Sequence, residues 1–318
     1  MDNHVITSVQ NARIKHVVAL QQKSSLRREE GLFVVEGQRE IEHCIACGYE
    51  VVEVFTVDGL QFTVDGLQFT VYGLQFTVYG LQFTVDYTDG YNGLASTSSV
   101  NRKPSARPEG ALSSERTVNY IVTSQVYEKM AYRGSTEGII AVVKCKPHDL
   151  SIIHHPLSIN KKPLIVVLEG VEKPGNLGAI LRTAEAAAVD AVIVCDPLTD
   201  IYNPNLIRAS IGGVFSVPVA VCTSEECIAF LKERQIKILT AQLQDSYEYY
   251  DYDMRPATAI VMGTESTGLT QQWRKAADAH IRIPMLGRLD SLNVSVSAAI
   301  LMYEAVRQRK GEEVKSEK

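Results

Sequence analysis

Beyond Pro163 the chain settles into short, continuous apolar runs separated by amphipathic stretches. LIVVLEG, AVIVC, SVPVAVC, IKILTAQ, ATAIVMG and IRIPM read as strands with both faces buried, whereas AILRTAEAAA, residues 205–211, EECIAFLKERQ and a long stretch from about 292 to 308 carry a helical period. Buried strands alternating with helices predict a mostly parallel sheet covered on both faces. The first part of the chain reads as a smaller α/β unit. It has a basic, apolar-periodic stretch near residues 8–28, a strand at 32–35, a helix over 38–47 and a strand at 51–57. The pattern resumes with a strand at 119–123, a helix at 124–131 and a strand at 138–144.

Between these halves of the small unit the pattern changes. GLQFTVD, GLQFTVY, GLQFTVY and GLQFTVD stand head to tail from Gly59 to Asp86, behind a fragment FTVD. A seven-residue repeat is also the coiled-coil period, but Leu, Phe and Val alternate with Gln and Thr at the strand period of two, and each unit carries a helix-disfavouring glycine. The spacing therefore predicts short strands joined by tight turns, with Leu60, Phe62 and Val64 opposite Val71, Phe69 and Leu67. The same apolar, nearly uncharged composition also suits a loosely ordered insertion. A Gly, Ser, Asn and Pro rich stretch follows over 88–115, so residues 58–117 read as one interruption of the small domain. The expected organisation is a small α/β domain over 1–150, a linker over 151–163 and a second domain over 164–318.

A length of 318 residues agrees with two domains. The formal charge of −5 removes bulk attraction to nucleic acid, so any such site must be a local patch. Arg13, Lys15, Lys23, Arg27 and Arg28 form one, with no acidic residue between Asn3 and Arg28. It reads either as a solvated helix face or as a surface for RNA. No apolar run reaches about 18 residues and the first residues hold no apolar signal core, which predicts a cytoplasmic protein outside the membrane. The six cysteines are scattered and read as reduced thiols, and neither Cys44-x-x-Cys47 nor the adjacent His154 and His155 has a second ligand pair, so no metal site is expected.

Ligands of open parallel sheets sit beyond the carboxyl ends of the strands, which directs attention to the loops after Leu168, Met262 and Ile283. The first, EGVEKPGNLGAILR, carries Gly175, Asn176 and Gly178 toward a helix and could expose amide donors to a phosphate, though it is neither GxGxxG nor GxxxxGK[ST]. Arg182, one turn into that helix, could simply pair with Glu185. The second loop, VMGTESTGL, sets Glu265 between Gly263 and Gly268. The third brings Ser291, Asn293 and Ser295 into the last helix, with Ser291 as the natural N-cap.

In order, Asn176-x-Gly178-x-x-x-Arg182, Gly263-x-Glu265-x-x-Gly268-Leu269 and IPMxGxxxSLNVSVSAA over 283–299 resemble the three motifs of the SpoU (TrmH) type RNA ribose methyltransferases of the SPOUT superfamily. The resemblance is strong over 164–309. Over 5–57 and 118–145 the chain is similar to that family's ribosomal-protein-like RNA-binding domain. The resemblance implies a sheet whose last part is threaded as a trefoil knot, with S-adenosyl-L-methionine held there by Gly263, Ile283, Met285, Leu292 and Val294 and the knot loops braced by Glu265. It implies that Asn176, Arg182, Ser291 and Asn293 surround the ribose and phosphate of the target nucleotide. It also implies a homodimer through the second domain, with the stretch SAAILMYEAV-RQRK compatible with that interface, and transfer or ribosomal RNA as substrate. Because guanidinium is practically always protonated, Arg182 suits electrostatic stabilisation better than proton abstraction. Two rival readings are an RNA-binding or ribosome-assembly protein that kept the fold without catalysis, and a nucleotide-binding enzyme using the PGNLG loop.

Overall fold

A computed structural model describes residues 4–58, 61–64, 67–70, 117–132, 137–154, 162–264 and 266–316. The chain forms two compact units, Met1–Lys144 and Cys145–Lys318.

In the first unit, β1 (His4–Ile6) leads into α1 (Ala12–Gln22) and α2 (Ser24–Glu30), followed by β2 (Leu32–Glu36), α3 (Gln38–Ala46) and β3 (Val51–Val57). After β4 (Gln61–Val64) and β5 (Leu67–Thr70) come β6 (Val118–Val122), α4 (Ser124–Met130) and β7 (Ile139–Lys144). The predicted basic stretch is thus two helices, broken where Lys23 turns extended at φ −114°. The sheet order is β1-β6-β3-β7-β2, and Ile14, Val17, Leu20, Phe55, Tyr120 and Met130 fill its core. Strand β6 runs parallel to β3 from Glu53↔Val118 to Val57↔Val122. Parallel neighbours cannot be closed by a tight turn, so a long connection is required where the repeat is inserted. Within the repeat, β4 and β5 pair antiparallel with Phe62 opposite Phe69 and Val64 opposite Leu67, the predicted register. Leu60 and Val71 lie outside the described residues.

In the second unit the order is β8 (Leu164–Glu169), α5 (Pro174–Ala186), β9 (Ala191–Cys195), α6 (Pro204–Ser210), α7 (Gly213–Ser216), β10 (Val219–Cys222) and α8 (Ser224–Glu233). Then follow β11 (Lys237–Ala241), β12 (Tyr247–Glu248), β13 (Thr258–Met262), α9 (Gln271–Ala276), β14 (Ala279–Arg282) and α10 (Val294–Ser316). The seven strands are ordered β10-β9-β8-β13-β11-β14-β12, with every pairing parallel. The chain winds outward from β8 through β9 to β10, then resumes on the far side of β13. The loops after β8 and β13 therefore diverge at a topological switch point, the general place for a ligand in such sheets.

Two boundaries differ from the sequence expectation. Leu150–Ile153 forms a short 3-10 turn against β10, with Ile153 fully buried in the second unit's core, and His148 bonds Val219 O (2.7 Å) and Tyr202 Oη (2.7 Å). This stretch therefore belongs to the second unit, which begins ahead of the boundary expected at 150. The last strand of the predicted IRIPM run ends at Arg282, because Pro284 has no N–H for a ladder and restricts Ile283 before it.

The terminal helix is held to its own chain. Arg309 donates to the carbonyls of Met254 (3.1 Å), Lys162 (2.6 Å), Pro163 (3.3 Å) and Pro256 (2.8 Å), and Arg307 pairs with Glu304 (2.7 Å). The RQRK segment, read as compatible with an interface, is engaged inside the unit at two of its basic residues.

Candidate active site

Gly170 ends β8 in the left-handed region at φ +62°, and its N–H donates to Cys195 O (2.9 Å). Four residues on, Pro174 opens α5 at its first turn, where a missing N–H costs nothing. The presumed phosphate loop is therefore already helix. Gly178 serves packing, since a Cβ there would lie 2.6 Å from Ala209 Cβ and 2.6 Å from Leu206 O on α6. This close helix contact replaces the cradle reading of the PGNLG segment.

The second loop folds tightly back on itself. A Cβ on Gly263 would lie 2.3 Å from Gly268 C and 2.5 Å from Leu269 N, so only glycine fits. Thr264 pairs with Gly268 in an antiparallel bridge, and its Oγ1 accepts from Thr267 N (3.0 Å). Glu265 lies outside the described residues. The loop's exit is anchored by Glu169, a carboxylate only 4% exposed at the end of an otherwise apolar strand. Its Oε2 accepts from Thr270 N (2.9 Å) and its Oε1 from Thr270 Oγ1 (2.7 Å). Sequence reasoning passed over Glu169, although a lone carboxylate in the run LIVVLE is the signal for it, because a buried acid requires partners.

At the third loop Asn293, not Ser291, caps α10. Its Oδ1 accepts from Ser295 N (2.9 Å) and Ser295 Oγ (2.6 Å), while its backbone carbonyl accepts from Val296 and Ser297 N–H (both 3.0 Å). Ser291 is exposed, its hydroxyl near Asp290 Oδ1 at 3.4 Å. Asn293 Nδ2 donates to Asn176 Oδ1 at 3.2 Å, tying the third motif to the first.

These elements enclose a cleft lined by Val171, Glu172, Lys173, Asn176, Gly263, Thr264, Ser266 and Val294. Of the expected donor-binding residues, Gly263 and Val294 stand in its wall. Ile283 and Met285 are half-buried nearby in sequence but outside this wall, and Leu292 is 41% exposed. Arg182 also lies outside the wall. It is exposed, makes no hydrogen bond or ion pair with a described residue, and leaves Glu185 unpaired with it. A floor of Val171 and Val294 beside a polar, glycine-shaped backbone suits a ligand with an aromatic base and a charged tail, the chemistry of S-adenosylmethionine.

In the first unit the basic patch divides. Lys15, Lys23 and Arg28 are exposed, whereas Arg13 pairs with Glu53 and lies over the Tyr120 ring at 4.9 Å. Arg27 is 3% exposed and donates to the carbonyls of Leu20 and Gln21, closing the end of α1. Arg27 is therefore a structural residue rather than part of an RNA surface.

Residues 163–303 match the SpoU rRNA Methylase family, and residues 11–77 match the MRM3-like substrate binding domain. The 23S rRNA (guanosine-2'-O-)-methyltransferase RlmB of Bordetella pertussis is 37% identical over 176 residues, covering 55% of this chain and 72% of that protein. A solved RNA 2'-O ribose methyltransferase aligns over 96% of this chain and 99% of its own, with 31% identity and a TM-score of 0.67. The SpoU methyltransferase AviRb from Streptomyces viridochromogenes, solved in complex with AdoMet, shares the fold at a TM-score of 0.71, with 24% identity over 95% of this chain and 99% of its own. With its three motifs gathered around one cleft and this degree of likeness across most of a relative's length, the chain belongs to the SpoU RNA methylase family.

Proposed function

We propose that this protein transfers a methyl group from S-adenosylmethionine to a ribose 2'-hydroxyl of ribosomal RNA. The observation that carries the reading is the cleft at the switch point, where Asn176, Gly263 and Val294 meet and Asn293 bonds to Asn176. The insertion of β13 between β8 and β11 supports the knotted threading of the family.

When bound, the donor supplies a methyl on a sulfonium leaving group, so the protein's task is alignment and control of charge. Val171, Gly263, Thr264, Ser266 and Val294 would hold it, with Ile283, Met285 and Leu292 as the further donor contacts that the family's third motif suggests. Asn176 and Asn293 position the ribose, and Ser291 is assigned to the same nucleotide by its motif alone. No histidine stands in the three motifs. Arg182, a guanidinium with no partner among the described residues, stabilises the developing alkoxide and the adjacent phosphate, while the proton leaves to solvent or to that phosphate. Of the basic stretch over 13–28, Lys15, Lys23 and Arg28 are exposed and available to RNA phosphates.

Leu286 (96% exposed), Leu289 (79%), Val296 (47%) and Tyr303 (49%) are large apolar side chains left exposed on the third loop and α10, which supports a homodimer through this domain. Among the described residues no helix is long and apolar enough to cross a membrane, and the cytoplasm, where ribosomal RNA is processed, is the proposed place of action.

The test is incubation of the purified protein with methyl-labelled donor and unmodified ribosomal RNA, followed by mapping of ribose methylation. Label confined to one 2'-O position supports the reading. Donor-dependent thermal stabilisation without transfer to any RNA would favour the non-catalytic alternative and overturn it.

A further inference from the structure

Three cysteines that lie far apart in the sequence converge on the β9–β10 side of the second unit. The sulfurs of Cys195, Cys222 and Cys227 all lie within 4.8 Å of one another. We propose that they form a binding site for a single thiophilic divalent cation of the zinc class, separate from the methyl-transfer cleft.

Each sulfur is placed by a different, well-fixed element. Cys195 and Cys222 end adjacent parallel strands as direct register partners, so their side chains leave the sheet on the same face. Cys227 reaches that face from α8, whose start is fixed by a complete capping box between Thr223 and Glu226. The same helix start is tied to the end of β9, because Ser224 N donates to Asp196 Oδ2 (3.1 Å), and to α9, because Trp273 Nε1 donates to Ser224 Oγ (2.9 Å). A filler of the core would need apolar volume only, and nothing in packing requires three sulfurs to face one another.

The donor set selects the ion. Three thiolates around a divalent cation leave one net negative charge, against two around copper(I), and buried charge is costly. Tetrahedral thiolate at a bond of about 2.3 Å sets sulfurs about 3.8 Å apart, so closure needs side-chain adjustments of up to roughly an ångström. Cys195 and Cys227 are fully buried whereas Cys222 is half-buried, which leaves the fourth position open to water on that side.

The experiment titrates the reduced, chelator-treated protein with cobalt(II), a spectroscopic stand-in, and then competes with zinc. Expected is one equivalent of cobalt with thiolate charge-transfer absorption, displaced by zinc, with Cys145→Ser unchanged and zinc affinity in Cys222→Ser lowered at least about tenfold. No cobalt–thiolate band from the folded wild-type protein, or a band of undiminished affinity in Cys222→Ser, would overturn the proposal. Because the wild-type titration is decisive alone, a variant that fails to fold does not shield it.

Discussion

Asn293 gives its side-chain N–H to Asn176 Oδ1 while its own Oδ1 receives the N–H and hydroxyl of Ser295. The second set of bonds fixes the amide's orientation, because the oxygen must face the Ser295 N–H. The cap of α10 and the positioning of Asn176 are thus one device, and the site is assembled only when the last helix is correctly started.

Asn293→Ala removes both functions. It is expected to cost about 1 kcal/mol in stability through the lost cap and about a hundredfold in methyl transfer through misplacement. Asn293→Asp keeps the acceptor for Ser295 but cannot donate to Asn176. Its melting temperature should stay close to that of the parent while its activity falls, and Ser295→Ala should be milder in activity than either. Equal activity of Asn293→Asp and the parent in a labelled-methyl assay would show that the bond to Asn176 has no part in catalysis.

Arg182→Ala tests the division between donor site and reacting hydroxyl. The side chain is exposed, has no described partner and stands outside the cleft wall, so its loss should change stability by no more than about 0.5 kcal/mol. Methyl transfer should be abolished with donor affinity retained. A parallel fall in donor affinity by calorimetry would place Arg182 in the donor site instead.

Much of the architecture was legible because period and burial agree: the parallel sheet, the order of its helices and even the Phe62↔Phe69 register of the inserted hairpin follow from apolar spacing. Roles that depend on what lies across the fold were not legible. Spacing makes Gly178 a phosphate glycine, whereas its missing Cβ makes room for Ala209, and it makes Ser291 the cap, whereas Asn293 is the one whose side chain meets Ser295 N–H. Arg27 sat in a basic run yet is consumed by α1 carbonyls. The convergence of Cys195, Cys222 and Cys227 depends on strand register and a helix start, neither of which sequence spacing encodes.

The same gap between spacing and environment appears at His148, which lies in the second unit although the sequence pattern places it in the small domain. Its ring bonds Val219 O and Tyr202 Oη, and burial holds its pKa below the usual 6.5. The unfolded chain therefore binds a proton at this site before the folded one does. Stability from this group is fully present above about 6.5 and is lost as pH falls below it, down toward the depressed folded value. Thermal melts from pH 7 to 5 should show a declining midpoint, and His148→Gln should flatten part of that slope. A slope identical in the variant would assign the pH dependence elsewhere.

Gly178 and Gly263 offer the sharpest separation of fold from site, because both are motif glycines whose missing Cβ has a named neighbour. Gly178→Ala presses a methyl against α6, so α5 and α6 must part, and a cost of about 1–3 kcal/mol is expected from overpacking. The donor cleft lies on the other side of the first turn, so affinity for S-adenosylmethionine should survive at temperatures where the variant is folded. Gly263→Ala instead drives a methyl into the backbone of Gly268 and Leu269, forcing open the loop that walls the cleft. Donor affinity should then collapse at a smaller cost in melting temperature, since the displaced backbone is a surface loop rather than a helix contact. If Gly178→Ala loses donor binding while still folded, the glycine touches ligand after all and the packing account of the first motif fails.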